Sequence, residues 1–151
     1  MSGAVQPIRA AHRMAYGLGL ALCLGTPGLI SVLLLLGLVP PGVHPQEGIY
    51  LQVGYLFTGV VFLSATWVWW RSAHALQTFK DLPELQRPVV ILREGLVYAA
   101  VFESSSLCGL VYWLLVGEAG TRHVWGFLLM TPLLFLALVP RFPRWARALV
   151  A

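Results

Sequence analysis

Apolar residues gather into four long runs along the chain, at about residues 14–39, 49–70, 95–116 and 124–139, and the polar residues gather between them. A helix that crosses a bilayer needs about 20 predominantly apolar residues, and the runs are of that order. The pattern predicts four membrane-spanning helices. Their connections are short, so residues 1–151 are read as one all-α, integral-membrane four-helix bundle with no room for a separate soluble domain.

Proline and glycine punctuate this frame. Pro27, flanked by Gly25 and Gly28, falls inside the first run, and Pro132 falls inside the fourth at comparable depth. Each removes a backbone donor and clashes with the preceding turn, which predicts kinks at Pro27 and Pro132. Thr26 and Thr131 precede them, and their hydroxyls are placed to satisfy a freed carbonyl. The stretch "PPGVHPQEG", Pro40 to Gly48, reads as a tight turn. In the longest connection, Arg71 to Pro88, the first part prolongs the second helix until Pro83 stops it, and Pro88 suits the first turn of the third. Phe79, Leu82 and Leu85 are then placed to rest on the membrane surface or on a partner.

Composition agrees with the pattern: 58% of the residues are hydrophobic and 11% charged, and the mean hydropathy is +0.78. The formal net charge of +4 raises the question of nucleic acid, and the positions of the charges answer it. Arg9 and Arg13 precede the first run. Arg71, Lys80, Arg87 and Arg93 lie between the second and third, and Arg141, Arg144 and Arg147 follow the fourth. The two other connections hold only Arg122. This asymmetry places both termini in the cytoplasm of a multi-pass protein of the plasma (inner) membrane. The lipid bilayer, not nucleic acid, is the expected partner of the basic residues.

Trp67, Trp69, Trp70 and Trp145 are expected at the cytoplasmic interface, and Tyr50, Tyr112, Trp113 and Trp125 at the opposite one. The basic tail around Trp145 reads as an interfacial anchor. The first run is longer than a signal-peptide core, no small-x-small cleavage pattern follows it, and it is read as retained. Cys23 and Cys108 lie in different runs and are read as buried, unreactive thiols.

One residue breaks the apolar pattern of the third run. Glu103 lies ten residues beyond Arg93, about 15 Å deeper along a helix and near the middle of a hydrocarbon core about 30 Å thick. An acidic side chain there costs about 2.5–3.5 kcal/mol to insert. Desolvation favours its neutral form unless a cation or several donors hold the anion, so it should face protein and not lipid. Ala99, Ala100 and Ser106 surround it at helical spacing. Ser105 and Gly109 form a small-xxx-small pair at an adjacent angle. On the second helix Thr58, Gly59 and Ser64 occur at similar depth. The candidate ion-binding set is Glu103, Ser106, Thr58 and Ser64, and the candidate helix-packing set is Ala99, Ser105, Gly109 and Gly59.

From Glu103 the residues run E-S-S-S-L-C-G-L-V. This resembles the carboxylate helix of the proteolipid subunit c of rotary ATP synthases. In that family an ion-binding Glu or Asp is commonly followed, at the fourth to sixth positions, by an aliphatic residue, an often aromatic residue and glycine, then by Leu or Val. Here those positions are Leu107, Cys108 and Gly109, then Leu110 and Val111. The preceding "QRP", Gln86 to Pro88, is similar to that family's polar hairpin loop, so the resemblance covers about residues 86–115. It implies an ion-binding role for Glu103 and a packing role for Gly109. The chain departs from the family in its second run, which has only Gly54 and Gly59 and three tryptophans, and in the absence of a carboxylate from the fourth.

Two functions fit these residues. The first is a helix-packing accessory or assembly subunit of a membrane complex or homo-oligomer, with protonated Glu103 joining helices. The alternative is a proteolipid-like subunit that binds a proton or sodium ion at Glu103. No HExxH, CxxC cluster, nucleotide loop or Ser-His-Asp arrangement is present, so no catalytic residue, metal site or enzyme is expected. No cofactor is expected beyond a proton or Na+ at Glu103. His12 and His74 belong to one side and His44 and His123 to the other, which argues against a haem held between histidines in the bilayer.

Overall fold

A computed structural model describes residues 2–42 and 49–149 of the chain. Five helices occur among them: α1, Ser2–Leu35; α2, Ile49–Thr78; α3, Arg87–Val116; α4, Thr121–Leu138; and the short α5, Phe142–Ala148. Single 3-10 turns at Phe79–Asp81 and Gly117–Gly120 join α2 towards α3 and α3 to α4. The described residues contain no strand. Most of the expected turn at Pro40 to Gly48, with His44, lies outside the described residues.

Three segments, Gln6–Leu35, Tyr50–Asp81 and Arg87–Ala148, are long and apolar enough to cross a membrane. The expectation was four. The runs expected at 95–116 and 124–139 fall in the one 62-residue segment, which the turn at Gly117–Gly120 folds back so that α4 packs along α3.

The helix ends have local causes. Gly37 takes φ 67°, its N–H bonds Leu34 O at 3.1 Å, and that of Leu38 bonds Leu33 O at 3.0 Å. These paired bonds around a left-handed glycine end α1 before Val39, where the apolar run continues. Pro88 sits in the first turn of α3, as its lack of an N–H favours. Beyond the 3-10 turn, Pro83 O accepts from Gln86 N at 2.9 Å. At the other end of α3, Gly117 takes φ 71°, and a Cβ there would run into the carbonyl oxygen of Gly42. The chain after α1 is tied to that end: Gly42 N donates to Trp113 O at 3.2 Å, and Trp113 Nε1 donates to Val39 O at 3.1 Å.

The centre of the bundle is α3, which packs against α1, α4 and α2. Its buried residues, among them Ile91, Gly95, Tyr98, Phe102, Ser105, Gly109, Tyr112 and Val116, recur at steps of three and four. Small residues set the approach of α1. A Cβ on Gly95 would come within 2.9 Å of Ala15 Cβ, and one on Gly19 within 2.6 Å of the Phe135 ring. The most peripheral helix is α2. Its buried Gly54, Val61 and Val68 form a narrow stripe, while Tyr55, Leu56, Phe62, Leu63, Trp69 and Trp70 are exposed.

The expectation for two aromatic residues changes here. Phe79 and Trp145 do not lie on the surface. They stack edge-to-face at 4.8 Å and are both buried with Ile8, Ala15 and Ile91, because α5 folds back over the ends of α1, α2 and α3. Leu85 is 90% exposed. Helices α1 and α4 continue through Pro27 and Pro132 without interruption. Neither threonine is seen capping its own freed carbonyl; Thr131 bonds across to α3 at 3.2 Å from Phe102 O.

Candidate functional site in the middle of α3

Successive residues on a helix step round its axis by about 100°, so the run Glu103-Ser104-Ser105-Ser106 in the middle of α3 addresses several neighbours in turn. Ser104 Oγ meets Ser64 Oγ of α2 at 3.2 Å. Ser105 Oγ donates to the Phe127 carbonyl of α4 at 2.7 Å. Ser106 Oγ lies 2.7 Å from Thr131 Oγ1, also of α4. Both Ser105 and Ser106 are completely buried, as is Thr131.

The Ser106–Thr131 pair has a direction. A hydroxyl carries one proton, and that of Thr131 is given to Phe102 O. Ser106 is therefore the donor to Thr131, and what its Oγ still offers is acceptor lone pairs.

Glu103 turns towards α1, where Cys23 and Thr26 lie one turn apart. Thr26 and Ser106 are its polar neighbours, but neither carboxyl oxygen has a partner at hydrogen-bond geometry, and both oxygens are inaccessible to solvent. No arginine, lysine or histidine is paired with Glu103 among the described residues. An ionised carboxylate is expensive in such a place. The neutral acid needs only one acceptor for its proton, and Ser106 Oγ has the lone pairs to be one.

The sequence-derived sets divide accordingly. Glu103 and Ser106 come together. Ser64 reaches the same layer but pairs with Ser104. Thr58 does not join: it is exposed, and its hydroxyl bonds back to Gly54 O of its own helix at 2.8 Å. Its position around the helix turns it outward. Gly59 is likewise exposed with open space around it, and packs against nothing. Ala99 is fully buried beneath α1, with Cys23 Sγ 3.8 Å from its carbonyl oxygen. A Cβ on Gly109 would lie 3.2 Å from Phe127 Cβ. Ser105 and Gly109 thus form the α3–α4 contact, and Ala99 belongs to the α1–α3 contact. Cys23 is buried and Cys108 is partly so.

A second polar cluster went unrecognised in the sequence. Glu94, 2% exposed, is held by Arg71 of α2 through a two-pronged pair, Nε to Oε2 at 2.7 Å and Nη2 to Oε1 at 2.9 Å. Arg93 adds bonds to Oε1 at 3.0 and 3.3 Å. The Arg71 guanidinium also lies over the Trp67 ring, 5.0 Å from its centre. The sequence reading gives Arg71 and Arg93 roles in topology and in contact with the lipid bilayer, not in an ion pair. The clue was Glu94 itself, a carboxylate next to Gly95 at the start of an apolar run, which needs a cation when it is buried.

His12 bonds Pro140 O at 3.2 Å, and His123 packs against Tyr112 at 5.6 Å. No three His, Cys, Asp or Glu residues gather to hold a metal among the described residues. The two carboxylates therefore occupy opposite circumstances on one helix: Glu94 is compensated by two guanidiniums, and Glu103 faces no cation among the described residues. No protein family, curated protein or solved structure matches the chain, so the reading of these sites rests on their chemistry.

Proposed function

We propose that the protein is a small polytopic membrane protein that carries a proton on Glu103 near the middle of the bilayer. The single observation behind this reading is that both carboxyl oxygens are buried with no partner. An acid kept only to join helices would be spent on an interhelical bond. Here Ser104, Ser105, Ser106 and Thr131 make those bonds instead, and Glu103 is left as a group whose one favourable state is protonated. A proton is favoured over sodium because an acidic hydrogen needs one acceptor, which Ser106 offers, whereas a sodium ion needs several oxygen ligands and only Thr26 and Ser106 are polar neighbours of Glu103 among the described residues.

In this reading the segment Arg87–Ala148 crosses twice, giving four crossings, and the distribution of arginines puts both termini in the cytoplasm. The resemblance of residues 86–115 to the subunit c carboxylate helix fits the same role, although the closely packed α1 and α4 give this bundle a different setting from a hairpin ring.

Carbodiimide labelling of the protein in vesicles tests the reading, because the reagent attacks protonated carboxyls in apolar surroundings. Glu103 is expected to be labelled, increasingly so as pH falls, and Glu94, held as an anion by two arginines, is not. Infrared spectra of the same vesicles should contain a carboxylic-acid C=O band that Glu103→Gln removes. Protection of Glu103 by sodium would transfer the site to that ion. No labelling of Glu103 from mildly acid to mildly alkaline pH, with no such band, would overturn ion binding altogether.

A second reading, the helix-packing accessory or assembly subunit, is favoured by the exposed apolar face of α2. A complex or homo-oligomer that survives mild detergent would support it, and a protein that stays monomeric without copurifying partners would not.

A further inference from the structure

The cluster around Glu94 lies at the margin of the apolar part of α3. Glu94 precedes Glu103 by nine residues, about 14 Å along the helix axis. If Glu103 is central, the cluster stands near the boundary of a hydrocarbon core about 15 Å thick on each side. There α2 and α3 diverge around a cleft of about 360 Å³, lined by Trp70, Arg71, His74, Val90, Arg93 and Glu94.

Two properties of this cleft point to an anion. First, its lining is unbalanced. Two guanidiniums share one carboxylate, leaving one positive charge over. Arg71 spends Nε and one terminal nitrogen on Glu94, and Arg93 spends the same pair of atoms on a single oxygen of it. Each arginine keeps a terminal Nη without an acceptor among the described residues. Second, the arginines are fixed in place. Glu94 is buried and holds both, and Trp67 lies beneath the plane of Arg71, so both remaining forks are held ready at the cleft. Planar forks of this kind suit phosphate oxygens.

The rim is apolar and aromatic. Trp70 of the lining is 63% exposed, and the chain neighbours of lining residues, Trp69 and Val89, are 63% and 65% exposed. Trp70 stacks parallel on His74 at 6.1 Å. Tryptophan in this setting belongs at the level of lipid headgroups, and the valines and leucines beside it are suited to an acyl chain. A free phosphate uses the arginines but none of this rim.

We infer that the α2–α3 cleft binds the phosphate of one anionic phospholipid between Arg71 and Arg93, with the lipid's chains descending along the exposed face of α2. The site is independent of Glu103 and of any ion it carries.

The test is lipid retention. The protein is reconstituted in vesicles of phosphatidylcholine and phosphatidylglycerol in equal amounts, extracted in mild detergent, and its bound lipid is counted by native mass spectrometry. One phosphatidylglycerol per chain is expected to be retained in preference to phosphatidylcholine. Arg93→Gln should weaken that retention about fivefold, the effect of removing one basic residue at the headgroup level. Arg71 still holds Glu94 in that variant. Arg144→Gln, a comparable change on α5 away from the cleft, should leave retention unaltered. Excess inorganic phosphate should not displace the lipid. The proposal is overturned by equal retention of the two lipids in the unsubstituted protein, a result that needs no variant to fold. Equal losses in Arg93→Gln and Arg144→Gln, or displacement by inorganic phosphate alone, would likewise refute a lipid site in this cleft.

Discussion

Separating Arg71 from Glu94 is the sharpest perturbation of the fold that leaves the midplane untouched. The side chain of Glu94 is 3% exposed and that of Arg71 34%. Removing one partner of a fully buried pair costs about 3–5 kcal/mol, because a desolvated charge is left behind. Arg71 is partly open to solvent, and Arg93 stays on Oε1 at 3.0 Å, so the loss in Arg71→Met should be nearer 2 kcal/mol. Glu94→Gln leaves a neutral side chain that still accepts from Arg71, and about 1 kcal/mol is expected. The double variant should be less damaged than the two losses added together, with a coupling of about 1 kcal/mol. Unfolding of the purified protein from mild micelles by added dodecyl sulfate, followed by helical circular dichroism, reads each value. Losses that add within about 0.5 kcal/mol would mean that the two groups do not sense one another. A larger loss in Arg93→Gln than in Arg71→Met would mean that the wrong arginine has been assigned as the main partner.

Three other changes probe different links. Glu103→Leu exchanges a buried, unpartnered acid for an apolar group, and the same unfolding assay should show a gain of about 1 kcal/mol together with loss of the carboxyl infrared band; a loss of stability would favour the joining role instead. Thr131→Val removes both the bond to Phe102 O and the acceptor of Ser106, and should destabilise by about 0.6 kcal/mol and no more than about 1.7 kcal/mol, the range for such bonds in membranes; no change would show that the α3–α4 hydroxyl pair is unimportant. Gly117→Ala must tolerate φ 71° with ψ −149°, a region open essentially to glycine alone, and collision with Gly42 as well, whereas Gly37→Ala meets a positive φ with open space around it. The former should cost about 2–3 kcal/mol and the latter about 1 kcal/mol, and equal losses would argue that the Gly42 contact does not hold the end of α3.

Much of this molecule is readable along one dimension. Membrane-length helices follow from the apolar runs, the start of α3 from Pro88, and the place of Glu103 near the middle of α3 from its distance to Arg93. These are properties of position along the chain, and hydropathy, proline and charge report them directly. Direction around each helix is another matter. In a soluble protein the polar face turns outward and reveals the inner one, but here lipid and protein interior are both apolar, so the sequence contrast that would orient the helix is weak. Thr58 and Gly59 were therefore assigned to the wrong face, and Phe79, expected on the membrane surface or on a partner, and Trp145, expected at the interface, are instead buried.

Only the tertiary structure could decide which helices meet. It sends three adjacent serines to α2 and α4 while turning Glu103 to α1, and it brings Arg71 to Glu94 across 23 residues. The sequence determined that two carboxylates would occur on one helix, at its margin and near its middle. Packing determined that the first is matched by two arginines and the second by none, because compensation of a charge depends on which side chains lie within a few ångströms, a distance that the order of residues does not contain.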